Sequence, residues 1–521
     1  MGCSFELERG GRSIKLTPPS THRDSSRYRS LASKNSRRRL NYNGSATCGE
    51  TPIAGRLLLI ALDSCPPSLI EEGSSDGSLP NFRRLLDEGT WGAVRSDARM
   101  FPGSIWPTFF TRTDVSHHGI YHSLQWDPAT RTLRTPGPDW FEVPAFWDSV
   151  AAAGSPVITL DIPFAAGATR AGAVTEVLGW GTHEALWATS RPRRLLADLN
   201  RKHGRSSVLP EISGPREDAV LARNLDALIG DVGRRTAIIL DLAARFEWRL
   251  MIACYTETHH AGHWFWGSRV TGEPQGGLRR VLRAIDSAIP ALRGRLTPED
   301  SFAVFSPHSM GPRFHGDRFS DTLREYLDPA GQRHHWSRDA PVRAMRSLVP
   351  PGVMQAIARA LPKTWYRRLL RLNEIAARNW ASSVAVINPL DDLLYVSLNS
   401  PADKDAELTR LTGEFEALRT PGGSKAVASL LRPAAVYGGS RLGLLPDLVA
   451  RLAPIPLEEV LVTAAGNALR GRQRTWQDGD HVPDGFYMQV GPAVPSYAQG
   501  PDVMLQDLAS HLCAPARINV P

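Results

Sequence analysis

From residue 56 to residue 311, short unbroken apolar runs take turns with longer stretches of helical spacing. The run Leu57-Leu58-Leu59-Ile60-Ala61-Leu62, closed by Asp63, predicts a strand buried on both faces. Leu79 to Leu86 then shows helical spacing, with Gly89 as its stop signal. A helix over residues 145–153 and a strand over 156–161 follow. A long amphipathic helix is predicted over 216–246, then a strand over 250–255, a helix over 276–292 and a strand over 301–306. Strands alternating with helices of this length predict an α/β fold, a mostly parallel central sheet with helices on both faces. The rhythm breaks over residues 312–475, where Pro-punctuated basic stretches (341–371) precede a strand at 393–398 and a helix at 402–418. We read this region as an inserted cap subdomain that also carries some core strands. Residues 476–521 return to the core with a strand at 486–490 and a closing helix at 502–513.

Residues 1–55 stand apart. They are rich in Ser, Arg and Asn, lack apolar periodicity, and read as a disordered basic extension. Their ten Lys/Arg and four Asp/Glu give +6 of the total formal charge of +8. The remaining chain is nearly neutral, which argues against a nucleic-acid-binding body. The longest aliphatic run is far below the roughly 20 residues of a membrane span, so no transmembrane segment is expected. The five cysteines are scattered and form no CxxC pair, which fits a reducing, cytoplasmic setting better than a disulfide framework.

Chemistry-bearing residues collect at predicted strand ends. In an open α/β sheet, ligands bind beyond the carboxyl ends of the strands. Asp63 ends the first strand there, placed to hold a metal or to cap a turn. Ser104 precedes a predicted helix starting at Ile105, where free N–H groups favour an anionic phosphoryl group; plain N-capping is the other reading. Thr256-Glu257-Thr258-His259-His260-Ala261-Gly262-His263 follows a strand, and His259 and His263 at i, i+4 share a helix face with the spacing used for zinc. His308 lies past the strand at 301–306. His481 sits in Gly479-Asp480-His481-Val482-Pro483-Asp484-Gly485, ahead of the last strand.

The order of these motifs resembles the alkaline phosphatase superfamily, in particular its type I phosphodiesterase/nucleotide pyrophosphatase family, from about residue 56 onward. The resemblance rests on the strand ending in Asp63, the Leu79-Pro80-Asn81 helix, Thr111 to Ile120, the His259/His263 pair, Ser306 to Gly311, and the late segment around His481. It implies two metal ions, usually zinc, with His259, His263 and His481 on one and Asp63, Ser104 and His308 on the other. It further implies that Ser104 attacks phosphorus and that metal-activated water then releases the product. The expected substrate is a small phosphate ester, nucleotide-like or a lipid headgroup.

This chain departs from the family pattern at several positions. Pro307 stands where the family has a metal-binding Asp, and His259 where it has another; Glu257 is a nearby carboxylate that could replace one. Arg112 replaces a Gly. The usual nucleophile position holds Pro102, two residues before Ser104. One or two zinc ions are therefore expected. The alternative reading is a catalytically weakened member that holds one zinc and a phosphorylated ligand without turnover.

Overall fold

A computed structural model describes residues 55–137, 140–165, 169–182, 188–207, 218–267, 270–314, 316–331, 383–399, 402–455, 459–472 and 477–520. The extension over residues 1–54, the basic stretches over 341–371 and residues 365–378 lie outside these.

The apolar runs form a ten-stranded sheet. Five neighbouring strands run parallel, in the spatial order Ser301–Ser306, Leu57–Leu62, Leu250–Tyr255, Val157–Leu160 and Val174–Leu178. The strand Gly485–Val490 adds antiparallel beside Ser301–Ser306 and pairs on its other side with Thr90–Arg95. Side chains of the first strand alternate between two cores, as the two-residue strand period requires. Leu58, Ile60 and Leu62 pack with Leu221, Leu228 and Leu242 of the helix Asp218–Arg245 and with Leu282 and Ile285 of the helix Gly276–Arg293. Leu57, Leu59 and Ala61 pack on the opposite face with Phe109, Trp147 and Leu508, from the helices Ile105–Thr111, Phe146–Ala152 and Leu505–Cys513. All six residues of that strand are buried because each face has its own helical layer.

Within residues 312–475, a four-stranded antiparallel sheet joins Ala385–Leu390, Leu393–Leu398, Leu448–Leu452 and Val427–Leu431. The helix Lys404–Ala417 covers it through Leu411 and Phe415. Tyr395 of this sheet stacks on Phe101 with ring centroids 5.9 Å apart. That contact brings the Leu390–Leu393 turn, with Asp391 in left-handed backbone at φ 55°, beside the main sheet's carboxyl edge. Among the described residues, no helix is long and apolar enough to cross a membrane.

Candidate metal centre

Three adjacent parallel strands end side by side, so the residues just beyond them meet. Asp63 follows the central strand, and its N–H donates to Tyr255 O of the neighbour at 3.1 Å. His259 lies in the helix Glu257–Trp264, which starts two residues after that neighbour ends. His308 lies two residues past Ser306. The Ser306 hydroxyl ties this edge together, 2.6 Å from both Leu62 O and His308 O, and accepts the Cys65 N–H. Thr258 donates to Asp63 O at 2.6 Å and fixes the helix to the strand end.

His481 arrives by another route. Its strand, Gly479–Val482, pairs antiparallel with Ser309–Pro312, placing His481 opposite Met310. This ribbon can approach the helix because two glycines face each other. A Cβ on Gly479 would lie 2.1 Å from Gly262 O, and one on Gly262 would lie 2.4 Å from Met310 Cγ. Gly479→Ala is therefore expected to push the ribbon off the helix and to cost roughly 1–3 kcal/mol of stability through overpacking. Because Gly479 O also contacts His263, any metal ion held by His263 should be held more weakly. Chemical denaturation and a zinc titration check both effects; an unchanged variant would mean that the ribbon shifts freely.

The outcome is a compact group. Nitrogen or oxygen atoms of His259, His263 and His481 all lie within 4.8 Å of one another, as do those of Asp63, His259 and His308. His259, His263 and His481 have ring centroids 4.7–5.0 Å apart, and His308 stands 5.3 Å from His481. All but His481 are buried, and His481 is only 12% exposed.

The surrounding groups orient these rings. His263 Nδ1 is 2.9 Å from Gly479 O. His481 Nδ1 is 2.8 Å from an Asp391 carboxylate oxygen. Burial pushes the Asp391 carboxyl up, but His481 and Arg313 beside it outweigh this and hold it well below the usual carboxylate range. Asp480 moves the other way, raised by burial and by the charge on Asp391.

The sixth residue behaves differently. Ser104 precedes the helix Ile105–Thr111 as expected, but it does not cap it. Its own φ and ψ are helical, as the last residue of a 3₁₀ turn, Pro102–Ser104, so its hydroxyl turns back and donates to Phe101 O at 2.8 Å. The contact from this helix to the centre comes from Trp106, whose Nε1 donates to Asp63 Oδ1 at 3.0 Å. Thr108 contacts His118 Nε2 at 3.1 Å instead. Arg112 occupies the left-handed helix cap at φ 59°, a conformation that explains why a Gly is usual there.

Glu257 supplies no carboxylate to the centre. Both of its oxygens accept from Arg235 Nε, at 2.9 and 3.0 Å. Burial pushes its carboxyl up to about 7, against the opposing pull of Arg235. Sequence reasoning also passed over Ser64. Its hydroxyl is fully buried, 2.7 Å from His308 Nε2 and 3.2 Å from His259 Nδ1. Its backbone is left-handed at φ 62°. A non-Gly residue next to a strand-end Asp was the available signal. Asp391 carried none, because it reaches the centre only through the packing of the second sheet.

The sheet is mostly parallel, and His and Asp gather past the carboxyl ends of its adjacent strands. The model of the type I phosphodiesterase / nucleotide pyrophosphatase family matches residues 57–388. The chain belongs to that family, whose members are enzymes acting on phosphoester bonds. Two solved structures are similar at 12% identity. One is phosphonoacetate hydrolase from Sinorhizobium meliloti in complex with phosphonoformate, with TM-score 0.51, covering 89% of this chain and 96% of that one. The other is an inactive form of murine ectonucleotide pyrophosphatase/phosphodiesterase 5 in complex with AMP, with TM-score 0.50, covering 90% and 96%. At this identity they establish the fold alone. No curated protein matches in sequence.

Proposed function

We propose that this protein is a metal-dependent hydrolase of small phosphoric esters and that His259, His263 and His481 hold its zinc. The observation that carries this is the orientation of the set. The Nδ1 atoms of His263 and His481 each face a carbonyl or carboxylate oxygen, which leaves Nε2 of each as the ligating nitrogen. Three neutral imidazoles suit zinc, and a catalytic zinc commonly has three protein ligands and one open position. A zinc ion there supplies Lewis acidity toward a phosphoryl oxygen and lowers the pKa of water. The protein's own part is to orient. Asp391 fixes the His481 tautomer and raises the basicity of its ring, and Gly479 O does the same for His263. Trp106 holds Asp63 in place. Ser104, whose hydroxyl donates to Phe101 O, holds its turn.

The test is hydrolysis of bis-p-nitrophenyl phosphate before and after chelation. Activity is expected to vanish on chelation and to return with zinc, and Ser104→Ala is expected to keep it within several-fold. A loss of about 10³ or more in Ser104→Ala would restore Ser104 as the nucleophile. Full activity in chelator would remove the metal from the reaction. The positions of Pro102 and Pro307 favour a second reading, a zinc protein that binds a phosphorylated ligand without turnover. Zinc binding without hydrolysis of any ester on a broad panel would select it.

A further inference from the structure

We propose that the Ser64 hydroxyl takes the place of the second cation, so that this chain holds one zinc ion where its family's pattern implies two. The inference rests on the assignment of the first ion to His259, His263 and His481.

The second position keeps Asp63, His259 and His308 as donors but has fewer than the family pattern implies, and a competing hydroxyl stands among those that remain. Of the donors that the family pattern implies there, Pro307 has no ligating side chain, and the Ser104 hydroxyl is bonded to Phe101 O. Only one carboxylate remains, Asp63, and one of its oxygens accepts from Trp106. Finally, Ser64 Oγ stands between the remaining nitrogens at hydrogen-bond distance, 2.7 Å from His308 Nε2 and 3.2 Å from His259 Nδ1. Two ligands of one tetrahedral zinc at 2.0–2.1 Å bond lengths lie roughly 3.3 Å apart. The Ser64–His308 separation is that of a hydrogen bond, not of two donors sharing an ion.

One proton arrangement accounts for the contacts of Ser64. Ser64 O–H donates to His308 Nε2, and His259 Nδ1–H faces Ser64 Oγ and Asp63 Oδ2, the latter at 3.4 Å. For the first ion, a ring nitrogen of His259 lies within 4.8 Å of one from each of His263 and His481. The donors that would hold a second cation have become the outer support of the first. The left-handed backbone at Ser64 places the hydroxyl there, and glycine adopts the same φ more readily.

The experiment counts zinc per chain by mass spectrometry on the full-length protein, stripped and then dialysed against buffered zinc. One ion is expected in the parent and two in Ser64→Gly, with a second variant, Ser64→Ala, as a check should the first not fold. Thermal melting confirms folding. Two tightly held ions in the parent would overturn the proposal. So would a folded Ser64→Gly and a folded Ser64→Ala that each still hold one, because something other than the hydroxyl would then exclude the second. No zinc in the parent would overturn both this proposal and the assignment of the first ion. One zinc with no ester hydrolysis would leave this proposal standing and sink only the hydrolase reading.

Discussion

In a His263→Ala variant, zinc binding and metal-dependent ester hydrolysis are both expected to disappear. The imidazole is one of three that meet within 4.8 Å, and its Nδ1 is already held by Gly479 O. Two remaining rings cannot close a three-ligand zinc site. The loss in zinc affinity should exceed the roughly 10–100-fold that follows from losing an outer partner. Asp391→Asn provides the graded comparison. Asn tolerates left-handed backbone and can still accept from His481 Nδ1, but it removes the charge that supports the ring. About tenfold weaker zinc binding is expected there. A titration against a competing chelator measures both variants. Parental affinity in His263→Ala would mean that the ion binds elsewhere and would remove the basis for the proposed function.

The second large effect concerns the support of the helix that carries His259 and His263. Arg235 is completely buried in the long helix Asp218–Arg245. It donates to Asp161 at 2.7 Å, to Glu257 at 2.9 Å and to Thr256 at 3.1 Å, and its guanidinium stacks over Trp180 at 5.0 Å. Asp161 in turn accepts the backbone N–H groups of Gly179, Trp180 and Gly181. This network ties the first turn of the helix bearing His259 and His263 to two other elements. Arg235→Met leaves two carboxylates buried without their cation, and we expect a loss of roughly 3–5 kcal/mol. Arg235→Lys should recover only part of it, since a single ammonium cannot span both acids as the planar fork does.

The deficit in Arg235→Met should depend on pH with a defined sign. In the parent, the Glu257 carboxyl is raised to about 7 from an ordinary 4.5, so its ionisation costs folded-state stability as pH rises through that interval. Removing Arg235 takes away the attraction that opposes this and raises the carboxyl further. The two proteins should therefore diverge most above about pH 7 and least in acid. Urea midpoints across pH would measure it. A deficit that does not change with pH would assign the loss to packing instead of to the stranded carboxylates.

Much of the centre was readable because strand ends are readable. An unbroken apolar run such as Leu57–Leu62 announces a strand with both faces covered, and the residue after it must lie at the sheet's edge. Asp63, His259 and His308 each follow such a run, so their convergence required only that the three strands be neighbours. His263 came with His259 through helix geometry. Ser104 shows where the same logic ended. Its position before the helix was correct, but a 3₁₀ turn set its hydroxyl toward Phe101 O, and the direction of one side chain is not a property of sequence spacing.

The linear pattern of this chain determined that its unbroken apolar runs would be strands covered on both faces, and that His and Asp would gather at one edge, because burial and backbone period act locally and repeat; strands such as Thr90–Arg95 and Val174–Leu178 were not among those it marked. Only the tertiary structure decided what surrounds them. Ser64 reaches two imidazoles that lie 195 and 244 residues away along the chain, Asp391 arrives on a separate sheet, and Glu257 is claimed by Arg235 from a neighbouring helix. Those contacts depend on which elements pack together and on directions fixed by single dihedral angles, and neither leaves a periodic trace in the order of residues.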